Sequence, residues 1–216
     1  MLRDTSSNSY FSSKRKILFF AFGEFSYIYD TEYTKGKDQV WRSLLADIHE
    51  TLVDHLFIFP NDDLLYKRGP KGDRDYWSGS EELLKHSNVN LIPSDKNANE
   101  LIAESDVILA FQTTAVFDAM HTNKIIIYCA WGENYQDLKS GLIDFEGYAC
   151  EGAILHAHSP EELKYFLSLN LRNIIIDVQA RKRIRESFTS NPDGRVANRF
   201  ASCLQDILYS NNKGDI

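Results

Sequence analysis

The chain has 216 residues, 43% hydrophobic and 25% charged, with a formal net charge of −7 and a pI near 5.4. This is the composition of a globular protein, long enough for one large domain or two small ones. The acidic balance excludes a general nucleic-acid or anionic-membrane surface.

The three cysteines, Cys129, Cys150 and Cys203, are scattered and odd in number. They lack zinc-site spacing and fit reduced thiols. The longest apolar run near the start, Ile17 to Phe22, is too short for a signal-peptide core or a membrane span. A cytoplasmic location is expected, with peripheral attachment to the inner membrane face as the variant of it.

Residues 1–13 are polar and Ser-rich, and are expected as a flexible lead-in. Ile17 to Phe22 reads as a buried first strand, with Gly23 as the turn residue behind it. The loop from Glu24 to Lys37 carries Phe25, Tyr27, Tyr29 and Tyr33. It suits either a functional strand-end loop or a surface loop packed by its own aromatics. Val40, Leu44, Leu45, Ile48, Leu52 and Leu56 repeat at helical spacing and predict a helix over about Asp38 to Asp54. Leu56 to Phe59 and Leu64 to Lys67 read as strands around a Pro60-Asn61-Asp62-Asp63 turn. Arg68 to Asp75 is a charged Gly/Pro loop. A short helix from Ser80 to Leu84, a strand over Val89 to Ile92 and a helix from Asn97 to Glu104 follow.

Val107 to Ala110 is an apolar run too short for a helix, and Gln112-Thr113-Thr114 ends it. Val116, Phe117 and Met120 then suit one face of a short helix. Ile125 to Cys129 is a β-branched run of the kind buried on both sheet faces. Strand, short helix and strand make a βαβ unit, which implies parallel pairing. Gln112 or Thr113 at the middle of it serves either as a helix cap or as part of an anion seat built from free N–H groups.

Beyond Cys129, Ala130 to Tyr135 is a strand-end loop containing Trp131, and Glu146 to Gly152 is loop-like. Ala153 to Ala157 reads as a last strand. Ser159-Pro160-Glu161-Glu162 is a helix start with cap, N1 proline and early acids. Asn173 to Phe188 reads as a helix whose basic run, Arg181 to Arg185, faces solvent. Asn191 to Gly194 is a turn, Arg195 to Tyr209 a final amphipathic helix, and residues 210–216 a polar tail.

Strands and helices alternate throughout. The expected fold is one α/β domain over residues 14–209: a doubly wound, Rossmann-like parallel sheet with helices on both faces. Ligands of such sheets bind outside the strand carboxyl ends. The expected crevice wall is Gly23 with its aromatic loop, the Lys67 to Asp75 loop, Gln112-Thr113-Thr114, and the Ala130 to Tyr135 loop.

No Walker loop, GxGxxG, nucleophile elbow or HExxH is present, so those enzyme classes lose their usual support. His156 and His158 lie two apart on a strand, but no third ligand of the right type is near, and no metal is expected. His86 and His121 read as surface residues. Asp62-Asp63 and Glu81-Glu82 are neighbours on a turn and a cap. Lys67 ends a strand, where it is either an exposed lysine or a partner for a phosphate at Thr113-Thr114.

Several segments together resemble a known family. Leu64 to Trp77 is similar to a hydrophobic-Lys-x-His-Pro motif, with Lys67 and Pro70 at the Lys and Pro positions. Ile102 to Met120 resembles a motif in which an apolar strand runs into Ser-Ser/Thr and then Glu-Ala. Lys124 to Ile127, Ser159 to Leu163 and Asp193 to Arg199 look like the strand start and closing helices that follow. The combination resembles the C-terminal, nucleotide-binding half of GT-B glycosyltransferases, in particular the capsule-polysaccharide and CDP-glycerol glycerophosphotransferase group.

The resemblance spans about Ile17 to Leu208. It implies a nucleotide-activated sugar or polyol phosphate as substrate, no cofactor or metal, and a diphosphate at Gln112-Thr113-Thr114. It places Asp118 where the family has a donor-contacting Glu. It also implies an acceptor-binding domain supplied elsewhere, as a separate protein or domain. Gly69 stands where the family has His, and Asn123 and Ile125 replace its Gly and Pro around Lys124. The other reading kept open is a degenerate module that holds a nucleotide or a partner domain without turnover.

Overall fold

The computed structural model of the chain describes residues 14–23, 41–68, 80–139, 142, 143, 145, 152–189 and 202. The expected lead-in, the Glu24 to Lys37 loop, Gly69 and Pro70, the rest of the loop to Asp75 and the Glu146 to Glu151 segment lie outside them. So do Cys150, Cys203, the Asn191 to Gly194 turn, the 210–216 tail and all of the expected final helix except Ser202.

Six strands form one all-parallel sheet. They are β1 (Lys16–Phe20), β2 (Asp63–Lys67), β3 (Val89–Ile92), β4 (Val107–Ala110), β5 (Ile125–Cys129) and β6 (Leu155–Ala157). Their order is β3-β2-β1-β4-β5-β6. The chain therefore builds outward from β1 to one edge, crosses back, and builds to the other edge. Helices are α1 (Arg42–Ile58), α2 (Glu81–Leu84), α3 (Ala98–Glu104), α4 (Ala115–Ala119), α5 (Tyr135–Leu138), α6 (Pro160–Ser168) and α7 (Val178–Thr189). Right-handed crossovers put α1 and α2 on one face, where α6 also packs on α1, and put α3 and α4 on the other.

The strands are as apolar as parallel, doubly covered strands must be. All five residues of β5 and all four of β4 are buried. Each fully buried Ile or Leu among them contributes about 2 kcal/mol of transfer free energy. At α6, Ser159 Oγ accepts the Glu162 N–H at 3.2 Å and Pro160 takes the first turn, as expected.

Several boundaries differ from the sequence reading. Leu56 to Phe59 is the last turn of α1 and its cap, not a strand. Leu52 and Leu56 continue the buried face of that helix, so the apolar run belongs to its 3.6-residue period. Phe57 and Ile58, on the other side, are exposed. The helix expected from Asn173 starts only at Val178, after a short 3-10 turn over Leu171–Asn173 and a stretch without regular structure over residues 174–177. The last strand is shorter than expected, and β1 ends at Phe20.

The basic run does not face solvent as a block. Lys182 and Arg183 are exposed, but Arg181 is 1% exposed. Its guanidinium donates to the carbonyls of Ala153 (2.8 Å), Thr122 (2.6 Å) and Lys124 (2.7 Å). Arg185 donates to the Met120 carbonyl at 2.8 Å. Spacing on α7 puts Arg181 and Arg185 on one face, and that face closes over the end of α4. Burial, then the neighbouring Arg185, lowers the Arg181 pKa to about 10.

Asp62 also departs from a solvated turn. It is buried, with Arg15 Nε donating to Oδ2 at 2.8 Å and His55 Nε2 at 2.9 Å from the same oxygen. Burial pulls its pKa up, but the His55 and Arg15 hydrogen bonds outweigh that and hold it below the ordinary value. Arg15 Nη1 also donates to the Leu167 carbonyl at 2.8 Å, so one guanidinium joins the start of β1 to the end of α6.

Candidate functional site

β1 pairs with β2 on one side and β4 on the other, and the connections from β1 and β4 leave in opposite directions. This is the topological switch point of the sheet, and the gap beyond the two strand ends is where open α/β sheets bind ligands. Ala21, Phe22 and Gly23 follow β1 there, and Phe111 to Thr114 follow β4. Lys67 ends β2 and Trp131 follows β5 on the same edge. The fold thus gathers Gly23, Lys67, Gln112, Thr113, Thr114 and Trp131 along one edge. Pro70 lies outside the described residues. Asp118 is exposed on α4.

The floor of the gap is aromatic. Phe22 and Phe111 have ring centroids 4.9 Å apart, and Trp41 packs on Phe111 at 4.7 Å. These rings join the two strand ends that the main-chain ladder leaves unpaired.

The turn after β4 has an unusual backbone. Gln112 has φ 46°, the one non-glycine residue with positive φ among those described. The Gln112 side chain is held: Nε2 donates to Tyr128 Oη (2.5 Å) and to the Ile143 carbonyl (3.1 Å), and Oε1 accepts the Ile143 N–H (2.9 Å). Thr113 Oγ1 accepts the Ala115 N–H at 3.3 Å from one position before the N-cap, Thr114, whose own side chain makes no capping bond. The Thr113 and Thr114 N–H groups donate to no group among the described residues, and Thr114 is exposed. Because α4 has five residues, its dipole is small. Any attraction for an anion at this turn therefore comes from these local N–H and hydroxyl groups.

Lys67 is 8% exposed, and its ammonium donates to the carbonyls of Ser94 (2.8 Å) and Pro93 (3.4 Å). Burial lowers its pKa, with Asp95 opposing. Two of its three donors are thus tied to the connection between β3 and α3. Trp131 is half-buried, with its indole N–H on Asp47 Oδ2 at 2.9 Å, which fixes it against α1.

A second helix N-terminus faces this edge, that of α1. Its donors are taken by the chain itself. The Ser43 N–H donates to Glu133 Oε1 at 3.1 Å, and the Ser43 hydroxyl also donates to that carboxylate. Burial raises the Glu133 pKa, and the Ser43 hydroxyl and nearby backbone N–H groups more than reverse this. Gly132 makes the approach feasible. It has φ +118°, and a Cβ there would lie 3.1 Å from Leu44 Cβ. Glu133, Tyr128 and Ile143 escaped the sequence reading. Their partners lie 90, 16 and 31 residues away, beyond any local pattern. The only local signal was Gly132 just after a strand.

His156 and His158 have ring centroids 6.0 Å apart, and His156 stacks on Phe145. Among the described residues no group of three His, Cys, Asp or Glu side chains is placed to hold a metal. A cavity of about 510 Å³ opens at the opposite edge of the sheet, beside Arg15, Phe59 and Leu169. The donors of Arg15 are already committed to Asp62 and to main-chain carbonyls there. No helix among the described residues is long and apolar enough to cross a membrane.

No protein-family model and no curated protein matches the sequence. Solved structures do match the fold. The S. aureus MnaA–UDP co-structure aligns over 96% of this chain and 51% of its own, with TM-score 0.53 and 14% identity. A wall teichoic acid polymerase TagF structure with CDPG aligns over 93% of this chain and 44% of its own, with TM-score 0.52 and 15% identity. The chain spans about half the length of the structures it matches. It has the fold of one half of a GT-B glycosyltransferase, an all-parallel Rossmann-like α/β sheet.

Proposed function

We propose that this chain binds the diphosphate of a nucleotide-activated sugar or polyol phosphate at the β4–α4 turn. In this reading it serves as the donor half of a glycosyltransferase in surface or capsular polysaccharide assembly. The observation that carries the reading is the turn itself. It lies at the switch point, and it presents the Thr113 and Thr114 N–H groups with no partner among the described residues. The occupied N-terminus of α1 supports the same choice, since Glu133 already supplies an anion there. Two fold neighbours are the MnaA–UDP co-structure and TagF with CDPG.

In this role the turn N–H groups and the remaining Lys67 donor stabilise charge on the leaving diphosphate. Gly23 leaves room for backbone approach, Trp131 forms the far wall, and Asp118 and Pro70 take the donor-side positions that the family resemblance gives them. The acceptor site belongs to a separate protein or domain. No metal or cofactor enters this scheme.

Calorimetric titration with UDP and CDP tests it. Thr114→Pro, which suits the φ of −68° at that position and removes its N–H, is expected to weaken binding about tenfold, the effect of one lost hydrogen bond to a charged group. Absence of binding to either nucleotide would falsify the reading. Unchanged affinity in Thr114→Pro would move the seat elsewhere. The second reading, a module that binds without turnover, draws on the two carbonyls that hold Lys67. Binding without transfer, when an acceptor domain is supplied, would select it.

A further inference from the structure

We propose that Gln112 is a positioning residue and not a ligand contact: its side-chain amide fixes the turn after β4 and couples it to the segment around Ile143. The proposal rests on the nucleotide reading of the same turn.

Three observations carry it. First, the backbone of Gln112 is left-handed, with φ 46°. That conformation disfavours a residue with a Cβ, and Gln lacks the short side chain that eases it for Asn or Asp. Something in the fold must hold it. Second, the amide is saturated. Its two N–H groups go to Tyr128 Oη and the Ile143 carbonyl, and its oxygen takes the Ile143 N–H. Tyr128 Oη in turn donates to the same Ile143 carbonyl at 2.7 Å. No donor of the amide is left for a phosphate.

Third, the pairing is shaped like a sheet ladder. The Gln112 amide meets both the N–H and the C=O of Ile143, as a neighbouring strand would. Leu142 and Phe145 on either side are buried, and Phe145 packs edge-on to Tyr128 at 5.0 Å. Ile143 is thereby tied to the β4–α4 turn through the Gln112 amide and to β5 through Tyr128 Oη. Tyr128 is fully buried on β5, so the anchor is rigid. The direction in which the chain leaves Gln112 sets where the Thr113 and Thr114 N–H groups point. The same amide therefore orders the seat and holds Ile143.

Hydrogen exchange and calorimetry on the full chain test this with Gln112→Gly and Gln112→Glu. Glycine keeps the left-handed backbone at no steric cost and removes only the clamp. It is expected to lower the protection of the Ile143 amide about tenfold or more, while amides in β1 and β5 keep theirs, and to weaken UDP or CDP binding about tenfold. Gln112→Glu as a carboxylate turns the donor facing the Ile143 carbonyl into an acceptor, and behaves like the glycine variant near neutral pH. As the neutral acid, below the ordinary glutamic acid pKa of about 4.3, it regains one O–H donor, and Ile143 protection relative to wild type at the same pH partly returns. Gln112→Gly shows no such recovery.

Unchanged Ile143 protection in Gln112→Gly would overturn the proposal. So would lost protection with unaltered nucleotide affinity, since the turn and the segment would then be uncoupled. A wild-type chain that binds neither nucleotide refutes the nucleotide reading alone, and the exchange arm still decides the clamp.

Discussion

His49 makes the stability of this fold fall as the medium becomes acidic. The residue lies on the inner face of α1, 2% exposed, with Nε2 3.1 Å from Tyr66 Oη and its ring edge-on to Phe19 at 6.0 Å. Burial lowers its pKa to about 3. In the unfolded chain the same imidazole titrates near its ordinary value of about 6.5. The unfolded state therefore binds the proton first, and stability is lost as pH falls from about 6.5 toward about 3. Each pH unit in that window is worth about 1.4 kcal/mol, so at about pH 5 the loss is about 2 kcal/mol.

Urea denaturation of the wild type and of His49→Phe, at about pH 7.5 and about pH 5, isolates the effect. The variant loses the Tyr66 contact at both pH values, so that offset cancels. Its stability relative to wild type is expected to rise by about 2 kcal/mol on acidification. Parallel profiles, within about 0.5 kcal/mol, would refute the argument. Asp62 does not confuse the window. Its carboxylate is held below the ordinary value, so its contribution is present above about pH 4 and is lost only below that.

Two further outcomes follow from packing. Arg181→Met strips the donors from three main-chain carbonyls and should destabilise the chain by about 3 kcal/mol, even though it removes a buried charge. A chemical denaturation midpoint equal to wild type would contradict this account of α7. Ser159→Ala should cost about 1 kcal/mol through the lost α6 cap, and Ser159→Asp should recover most of it in the same assay.

How much of this was legible in sequence depends on how far each signal reaches. The run Ile125 to Cys129 reads as a doubly buried strand because its composition alone decides it, and all five residues are buried. Ser159-Pro160-Glu161-Glu162 reads as a helix start because cap, proline and first-turn acids act within four residues. The alternation of such units implies a parallel, doubly wound sheet, and the fold and its GT-B likeness agree with that. Leu56 to Phe59 misled because a four-residue apolar run suits a strand as well as the last turn of a helix. The Arg181 to Arg185 run misled because charge alone does not say which face of α7 is covered. Only its contact with the end of α4 turns Arg181 inward.

Apart from Leu56 to Phe59 and α5, the sequence by itself determined the elements, their order along the chain and the short polar turn at Gln112-Thr113-Thr114. Those follow from side-chain periodicity and backbone preference, which act over a few residues. Tertiary structure alone decided the strand order that puts this turn at the switch point. It also decided that Glu133 fills the N-terminus of α1, that Lys67 is tied to Pro93 and Ser94, and that Gln112 is locked to Tyr128 and Ile143. Each of these joins groups far apart in the chain, and a hydrogen bond across such a separation leaves no local trace.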